Sequence, residues 1–175
     1  MLQLFKKYKA AIGFIVKFFV VYAILTFVYN QYLDAFDDQP DTLTVAVAKQ
    51  SNALINLFGF HGAVEAHESE PTMKLIVNEK YVGRILEGCN SVSVLILFAT
   101  FVLAFTGRWK RSVLFLLLGG SLIYSANLIR IAVIAIGLYK FPEKEYLLHQ
   151  IIFPSMIYGM VFLLWMLWVN KFSKL

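Results

Sequence analysis

Four long apolar stretches alternate with polar segments along the chain, at residues 11–29, 90–106, 112–139 and 150–169. A helix needs about 20 mainly apolar residues to cross a bilayer. We therefore predict an all-α polytopic membrane protein, in which four transmembrane helices form a single domain over residues 1–175. The third stretch is longer than a bilayer requires, so this helix is expected to tilt or to project from the membrane.

The longest polar segment, residues 30–88, separates the first two predicted spans. Pro40-Asp41-Thr42 is typical of a helix start, and apolar residues recur at helical spacing from there to Gly59, a typical helix stop. This pattern predicts an amphipathic helix that lies on the membrane surface or packs against the bundle. The apolar positions of the predicted helix are Leu43, Val47, Leu54, Leu57 and Phe58.

The second half of the same segment contains two β-prone runs, Met73–Val77 and Tyr81–Ile85, on either side of Asn78-Glu79-Lys80. This arrangement predicts a β-hairpin. Histidine and glutamate residues between the helix and the hairpin have the spacing of metal ligands, but no third nitrogen ligand is near in sequence. We therefore interpret them as a solvated loop and predict no metal site. These residues are His61, Glu65, His67 and Glu68.

The charges are distributed unevenly. Segments 1–10, 107–111 and 170–175 carry eight basic residues and no acidic ones, whereas residues 30–88 hold nine acidic and four basic residues. Cytoplasmic loops of membrane proteins are rich in Lys and Arg. Both termini are therefore predicted to be cytoplasmic, and residues 30–88 to form an extracytoplasmic insert. The net charge of +5 does not indicate nucleic-acid binding, because the basic residues flank apolar stretches.

Arg130 lies inside the third apolar stretch, where burial of a guanidinium costs several kcal/mol. We predict that it is functional and faces the interior of the bundle; the alternative is an arginine that snorkels to the outer headgroups. Asn127, Tyr124 and Ser121 precede it in steps of three and form an inclined polar ridge. Asn127 is a candidate for a supporting role in the site, whereas Tyr124 and Ser121 are expected to make contacts between helices.

Cys89 is the only cysteine of the chain and lies at the outer end of the second predicted span. Without a second cysteine it forms no intrachain disulfide. It is therefore a packing residue or a nucleophile, and its position leaves both open. A helix N-terminus favours the thiolate, Gly88 leaves room for a substrate backbone, and Asn90 or Ser91 can cap the helix.

His149 opens the fourth predicted span, on the same side of the membrane as Cys89 and Arg130. Glu145 lies four residues earlier and would orient the imidazole on a helix, although a solvated surface charge is the more common role of such a residue. Pro154 predicts a kink directly after His149. A cysteine nucleophile needs a base, usually a histidine, so the three side chains are predicted to meet near the external surface of the membrane.

Three elements together resemble the exosortase/archaeosortase family. They are Glu87-Gly88-Cys89-Asn90-Ser91 entering a membrane helix, Asn127-Leu128-Ile129-Arg130 inside a later helix, and His149 at the start of the last. The resemblance covers about residues 84–160. The short chain and the Glu-Gly-Cys-Asn-Ser form are similar to the small exosortase F subtype of Bacteroidota. Many exosortases have Ser-Gly directly after the cysteine, whereas this chain has Asn90-Ser91. This difference bears on substrate preference.

The resemblance implies a membrane-embedded cysteine transpeptidase of the bacterial inner membrane, with its active site towards the periplasm. Its partners would be exported proteins whose C-terminal sorting signal consists of a short motif, a membrane helix and a basic tail. Each would be cleaved through a thioester and passed to an acceptor nucleophile or released. Cys89 would be the nucleophile, His149 the general base and acid, and Arg130 the stabiliser of the oxyanion. No phosphate-binding glycine loop or Cys-x-x-Cys pair is present, so no cofactor is predicted.

Two other functions are compatible with the same residues. A non-enzymatic membrane scaffold or assembly factor would use Arg130 to pair with an acidic residue of a partner. An interfacial acyltransferase would use Cys89 or His149 near the membrane surface. The chemical identity of an acyl group carried by Cys89, peptide or lipid, separates the acyltransferase from the transpeptidase.

Overall fold

The computed structural model describes residues 2–36, 39–105 and 109–171, and it describes only the backbone of residues 2–7, 10, 149, 150 and 153. Several sequence predictions fall outside this part of the chain. They are the end of the second span at residue 106, the side chain of His149, and four charges used to assign topology, Asp37, Asp38, Arg108 and Lys174.

The described residues form five α-helices and three β-strands. The helices are α1 (Leu2–Asp34), α2 (Thr42–Leu57), α3 (Val92–Ala104), α4 (Trp109–Lys140) and α5 (Phe153–Lys171). The strands are β1 (Gly62–Ala66), β2 (Met73–Val77) and β3 (Lys80–Ile85). Two 3-10 turns, Glu87–Cys89 and Pro142–Lys144, and a π-helical segment, Leu147–Ile152, lie between these elements.

Two helices in the described part of the chain, over Ala11–Asp34 and Trp109–Lys140, are long and apolar enough to cross a membrane. They correspond to the first and third predicted spans. Helix α3 is apolar but has 13 residues, which rise about 20 Å against a hydrocarbon core of about 30 Å. Helix α5 has 19 residues and covers most of the fourth predicted span. A count of four membrane-crossing helices stays a prediction.

The N-terminal half of α4 packs with α3 and α5 around a first hydrophobic core, which we call the bundle core. Gly119 permits this packing, because a Cβ at that position would overlap the ring of Phe98. Helix α1 runs antiparallel to α3: the rings of Phe14 and Phe105 lie 4.5 Å apart, and Tyr29 contacts Asn90 at the opposite end. The buried residues of the bundle core are Phe98, Val102, Ile123, Val161, Leu164 and Trp168.

The C-terminal half of α4 packs against α2 and the β-sheet, around a second core that we call the insert core. Helix α4 has 32 residues and rises about 48 Å, so its length beyond a bilayer span carries the insert. The buried residues of the insert core are Val47, Ala48 and Ile55 of α2, Met73, Leu75, Val77 and Ile85 of the sheet, and Ile131, Ala132 and Ala135 of α4.

The chain is mostly helical, as predicted, but the sheet of the insert is larger than the predicted hairpin: it has three antiparallel strands in the order β1-β2-β3. The predicted hairpin is confirmed as β2 and β3. Asn78 and Glu79 join them with φ of 48° and 65°, as two-residue hairpin turns require. Strand β1 has no counterpart among the sequence predictions, which interpret this region as a loop. Its five residues, Gly-Ala-Val-Glu-Ala, are mostly poor strand formers, and pairing with β2 decides their conformation.

Both predicted ends of α2 are confirmed. Asp41 caps the helix, since its carboxylate accepts hydrogen bonds from the N–H groups of Leu43 (2.9 Å) and Thr44 (3.0 Å), and Gly59 follows the helix with a φ of +84°. The predicted apolar face is wrong in part, because Leu43, Leu57 and Phe58 are exposed. The buried stripe of α2 combines Val47 of the predicted face and Ile55 with three small or polar residues, and it packs against α4 and the sheet. These three residues are Thr44, Ala48 and Ser51.

Candidate active site

Cys89 lies in a tight turn that directly continues strand β3. The N–H of Cys89 donates to the carbonyl of Leu86 at 2.8 Å, and the N–H of Asn90 donates to that of Glu87 at 3.3 Å. The Cys89 side chain is half-buried and packs against the insert core. The position of the Cys89 thiol is therefore set by the sheet.

The predicted position of Cys89 at a helix N-terminus needs correction. Helix α3 begins at Val92 with Ser91 as its N-cap, so Cys89 lies two residues before the cap. Ser91 adopts the left-handed conformation (φ 67°) and its side chain does not cap the helix. Asn90 does cap it, because its Oδ1 accepts the N–H of Val92 at 3.0 Å. The chain must turn sharply between thiol and helix, and the αL residue makes that turn.

Asn90 joins three helices. Its Nδ2 donates to the hydroxyls of Tyr29 on α1 (2.8 Å) and Thr44 on α2 (3.2 Å), while its Oδ1 binds the start of α3. The side chain is 1% exposed. All its hydrogen-bonding atoms are thus used to fix the backbone next to Cys89, which makes Asn90 a positioning residue.

Asn127 connects Cys89 with Arg130. Its Nδ2 donates to the backbone carbonyl of Cys89 at 2.8 Å, and its Oδ1 accepts Nη1 of Arg130 at 3.3 Å. The side chain is 1% exposed. Only this orientation of the amide satisfies both contacts, because a carbonyl cannot donate and a guanidinium cannot accept. The thiol-bearing turn and the guanidinium are therefore held at one level of α4.

Arg130 is half-buried, and its Nε is buried without a hydrogen-bond partner among the described residues. A buried unsatisfied donor costs about 1–3 kcal/mol or more when it is charged. Of the polar ridge predicted on α4, Asn127 is buried and Tyr124 is partly buried against the insert core. Ser121 is exposed, so its predicted contact between helices is wrong. The guanidinium retains donors for an anionic ligand.

Cys89 and Arg130 line the same cavity, which has a volume of about 740 Å³. Strand β3 forms one wall and the C-terminal half of α4 another. Glu145 and Pro154 contribute from the segment before and at the start of α5. The apolar lining includes Leu75, Val82, Ile85, Ile131, Ile134 and Leu138. A thiol and a guanidinium at the end of an apolar cleft can attack a carbonyl and stabilise the resulting negative charge.

The backbone of His149 belongs to the π-helical segment Leu147–Ile152. Glu145 and Pro154, which flank this segment, both line the cavity, and Leu148 packs close to Gly137 of α4. The irregularity predicted from Pro154 is thus present as a wide helical turn, a feature often found at functional sites. The predicted pairing of Glu145 with His149 stays a prediction, because the side chain of His149 lies outside the described part of the chain.

A second cavity, of about 230 Å³, lies between α1 and α3. Leu86 and Gly88 line both cavities, so the turn before Cys89 forms the partition between them. Gly88 is exposed at this point, and its role in leaving room for a substrate backbone stays a prediction.

The histidine and glutamate residues near β1 are dispersed. Glu68 pairs with Lys74 at 3.4 Å, and Nδ1 of His67 accepts the N–H of Ser69 at 3.3 Å. In the described part of the chain, no three His, Cys, Asp or Glu residues are grouped so that they would hold a metal ion.

Residues 3–169 match the family model of the transmembrane exosortases. The chain belongs to the transmembrane exosortase family. Searches of curated proteins and of solved structures found no match.

Family membership makes this exosortase a membrane protein and indicates a membrane transpeptidase or protease. It also implies substrate proteins that carry C-terminal sorting signals in a membrane. The role of strand β3 as a wall of the cleft was not predicted from the sequence. The direct continuation of a predicted strand into Glu87-Gly88-Cys89 was the available signal.

Proposed function

We propose that this exosortase is a cysteine transpeptidase or endopeptidase that cleaves C-terminal sorting signals of exported proteins through a thioester acyl-enzyme. The observation that supports this best is the shared cleft, in which Cys89 and Arg130 face one cavity and are joined through Asn127. A scaffold accounts for Arg130, which would pair with an acidic residue of a partner, but it does not account for a thiol in the same cleft.

Cys89 is the proposed nucleophile. Its thiolate attacks the scissile carbonyl, a C–S bond forms, and the carbonyl oxygen becomes an oxyanion. The turn Glu87–Cys89 is held by Asn127 and Asn90, so the sulfur approaches the cleft from a fixed backbone. Because the sulfur is already held in position, the reaction loses less entropy when the thiolate meets the carbonyl.

Arg130 is the proposed oxyanion stabiliser. Its guanidinium lines the cleft, and among the described residues its hydrogen bond is that of Nη1 to Asn127, so other N–H groups remain for an oxyanion. A preoriented donor of this kind costs little reorganisation when charge develops, and removal of one oxyanion donor typically costs about 10²–10³ in kcat.

His149 is the proposed general base and acid. It takes the thiol proton and gives it to the leaving amine when the C–N bond breaks. An acceptor amine then attacks the thioester, which forms a new amide and frees the thiolate; attack by water gives a carboxylate instead. The positions of Glu145 and Pro154 at the cleft, on either side of the π-helical segment, support this assignment.

The proposed setting is the bacterial inner membrane, with both termini cytoplasmic and the cleft on the periplasmic side. Cys89 packs against the insert core on the C-terminal half of α4, and its carbonyl accepts a hydrogen bond from Asn127. In this setting the cleft receives the segment of a substrate that lies just outside the bilayer. Assignment to the small exosortase F subtype and a total of four spans belong to the same proposal.

The test is the Cys89→Ala variant, co-expressed in its host membrane with a protein that carries a C-terminal sorting signal. We expect processing of that protein to fall below detection, while the variant accumulates in the membrane at the wild-type level. Unchanged processing would remove the nucleophile assignment and favour the scaffold. A lipid acyl group on Cys89 would favour the interfacial acyltransferase.

A further inference from the structure

The β-sheet has an open edge beside the cleft. Strand β3 pairs with β2 on one side, and no other strand in the described ranges pairs with its second side. An open edge presents unpaired backbone N–H and C=O groups, which readily accept another extended chain.

This edge faces the cleft. Five consecutive residues of β3, Tyr81–Ile85, line the cavity. Successive side chains of a strand point to opposite faces, so a cavity against one face would be lined by alternate residues. Lining by every residue in turn indicates that the cavity runs along the strand edge. Leu75 pairs with Gly83 and Ile76 with Tyr81, so Val82 is an extra residue in β3, and this bulge twists the strand locally.

The same edge continues to the thiol. Strand β3 ends at Ile85, and Leu86, Gly88 and Cys89 line the same cavity beyond it. An extended peptide that follows the edge would therefore reach Cys89 without leaving the cleft.

Gly83 leaves space in the cleft wall. A Cβ added there would meet no atom within 4 Å, although the partner of Gly83 across the sheet, Leu75, is buried. The facing wall is apolar and includes Ile131, Ile134 and Leu138. The space beside Gly83 thus fits a large apolar side chain.

We propose that the extended segment preceding the membrane helix of a sorting signal binds to β3 as an added strand, with a large apolar side chain beside Gly83. This inference rests on the proposed function, because it names how the same cleft holds its substrate. Backbone polar groups cost free energy when they leave water unpaired. A strand edge pairs them at the point where the substrate leaves the bilayer.

The first test uses a set of thiol-reactive peptides on the purified full-length chain. Each is an acetylated pentapeptide ending in a vinyl sulfone, to which the thiolate adds while solvent protonates the adjacent carbon. In an all-alanine series, one peptide nitrogen at a time is methylated. We expect labelling of Cys89 to slow about tenfold at alternate nitrogens and less than twofold at the others, because alternate N–H groups of an added strand face its partner.

The second test moves one leucine through the five positions. We expect one position to accelerate labelling about tenfold over alanine, and the Gly83→Leu variant to abolish this leucine-to-alanine ratio. Gly159→Leu is the matched control. Gly159 also has no atom within 4 Å of an added Cβ but lies on α5, and it does not line the cleft. This variant should keep the ratio.

Iodoacetamide separates the possible failures. If it labels Cys89 while methylation effects show no period of two, or while Gly83→Leu keeps the ratio, strand addition beside Gly83 is wrong and the nucleophile assignment survives. If Cys89 reacts with neither iodoacetamide nor any peptide, and Cys89→Ala still processes substrate, the proposed function and this inference both fail.

Discussion

The two hydrophobic cores of this exosortase share helix α4 but are built differently. The bundle core is formed by helices alone and is rich in large side chains such as Phe98 and Trp168. The insert core combines α2, the sheet and α4, and its buried residues are aliphatic apart from Met73. Ile131, Ala132 and Ala135 of α4 belong to the insert core, so α4 provides part of the surface on which the insert packs.

The cores also face different surroundings. Leu114, Leu117 and Leu118 are exposed on the bundle half of α4, as expected of a helix in lipid. On the insert, the sheet carries ion pairs, Lys74 with Glu68 and Arg84 with Glu70. Asn127 lies between Ile123 of one core and Ile131 of the other on α4. The candidate site therefore lies at the junction of an apolar layer and a polar one.

The largest expected effect at this junction comes from Arg130→Lys. An ammonium group is a point charge and does not reproduce the planar fork of a guanidinium. We expect the rate of sorting-signal processing to fall about 10²–10³-fold, as on loss of one oxyanion donor.

Arg111→Lys is the matched control, since Arg111 is exposed near the start of the same helix. It should process the substrate normally. Near-normal turnover by Arg130→Lys would argue that this arginine only snorkels to the headgroups.

Ile55 of the insert core and Ile123 of the bundle core are both 0% exposed. Truncation of each therefore compares the stability that the two cores gain from one buried isoleucine. We expect Ile55→Ala to lower the free energy of unfolding by about 2–5 kcal/mol. Ile123→Ala should cost roughly half of this or less, because lipid is as apolar as the core and only packing is lost.

Unfolding of both variants in the same mixed micelles measures the difference. Equal losses would contradict the assignment of the two cores to different solvents.

A smaller effect is expected at Ser91, whose φ of 67° is unfavourable for any residue with a Cβ. The Ser-Gly pair typical of many exosortases would place glycine at this position. Ser91→Gly should exceed Ser91→Ala in stability by about 0.5–1 kcal/mol, since both remove the hydroxyl but only glycine relieves the strain. Thermal unfolding of the two variants tests this, and equal stability would show that the turn is unstrained.

The sequence predicted elements of both the bundle and the insert. Apolar length alone located α1 and α4, and turn residues such as Asn78 and Asp41 located the hairpin and the start of α2. Strand β1 escaped prediction, because its conformation depends on pairing with β2 and not on its own residues.

In the candidate site, too, some features were recognisable from the sequence and others depend on tertiary packing. Cys89 and Arg130 were recognisable because a lone thiol and an intramembrane guanidinium are chemically unusual. The contact between the Cys89 carbonyl and Asn127, 38 positions apart, is a product of tertiary packing. So is the wall formed by β3.

The most direct measurement is mass spectrometry of Cys89 after acid quenching of membranes that contain a sorting-signal substrate and no added acceptor amine. We expect a hydroxylamine-sensitive thioester on Cys89, whose mass is that of the substrate polypeptide ending at the cleavage point. The Cys89→Ala variant should carry none. Cleavage of the substrate by the wild-type protein with no thioester on Cys89 at any quench time would contradict the nucleophile assignment.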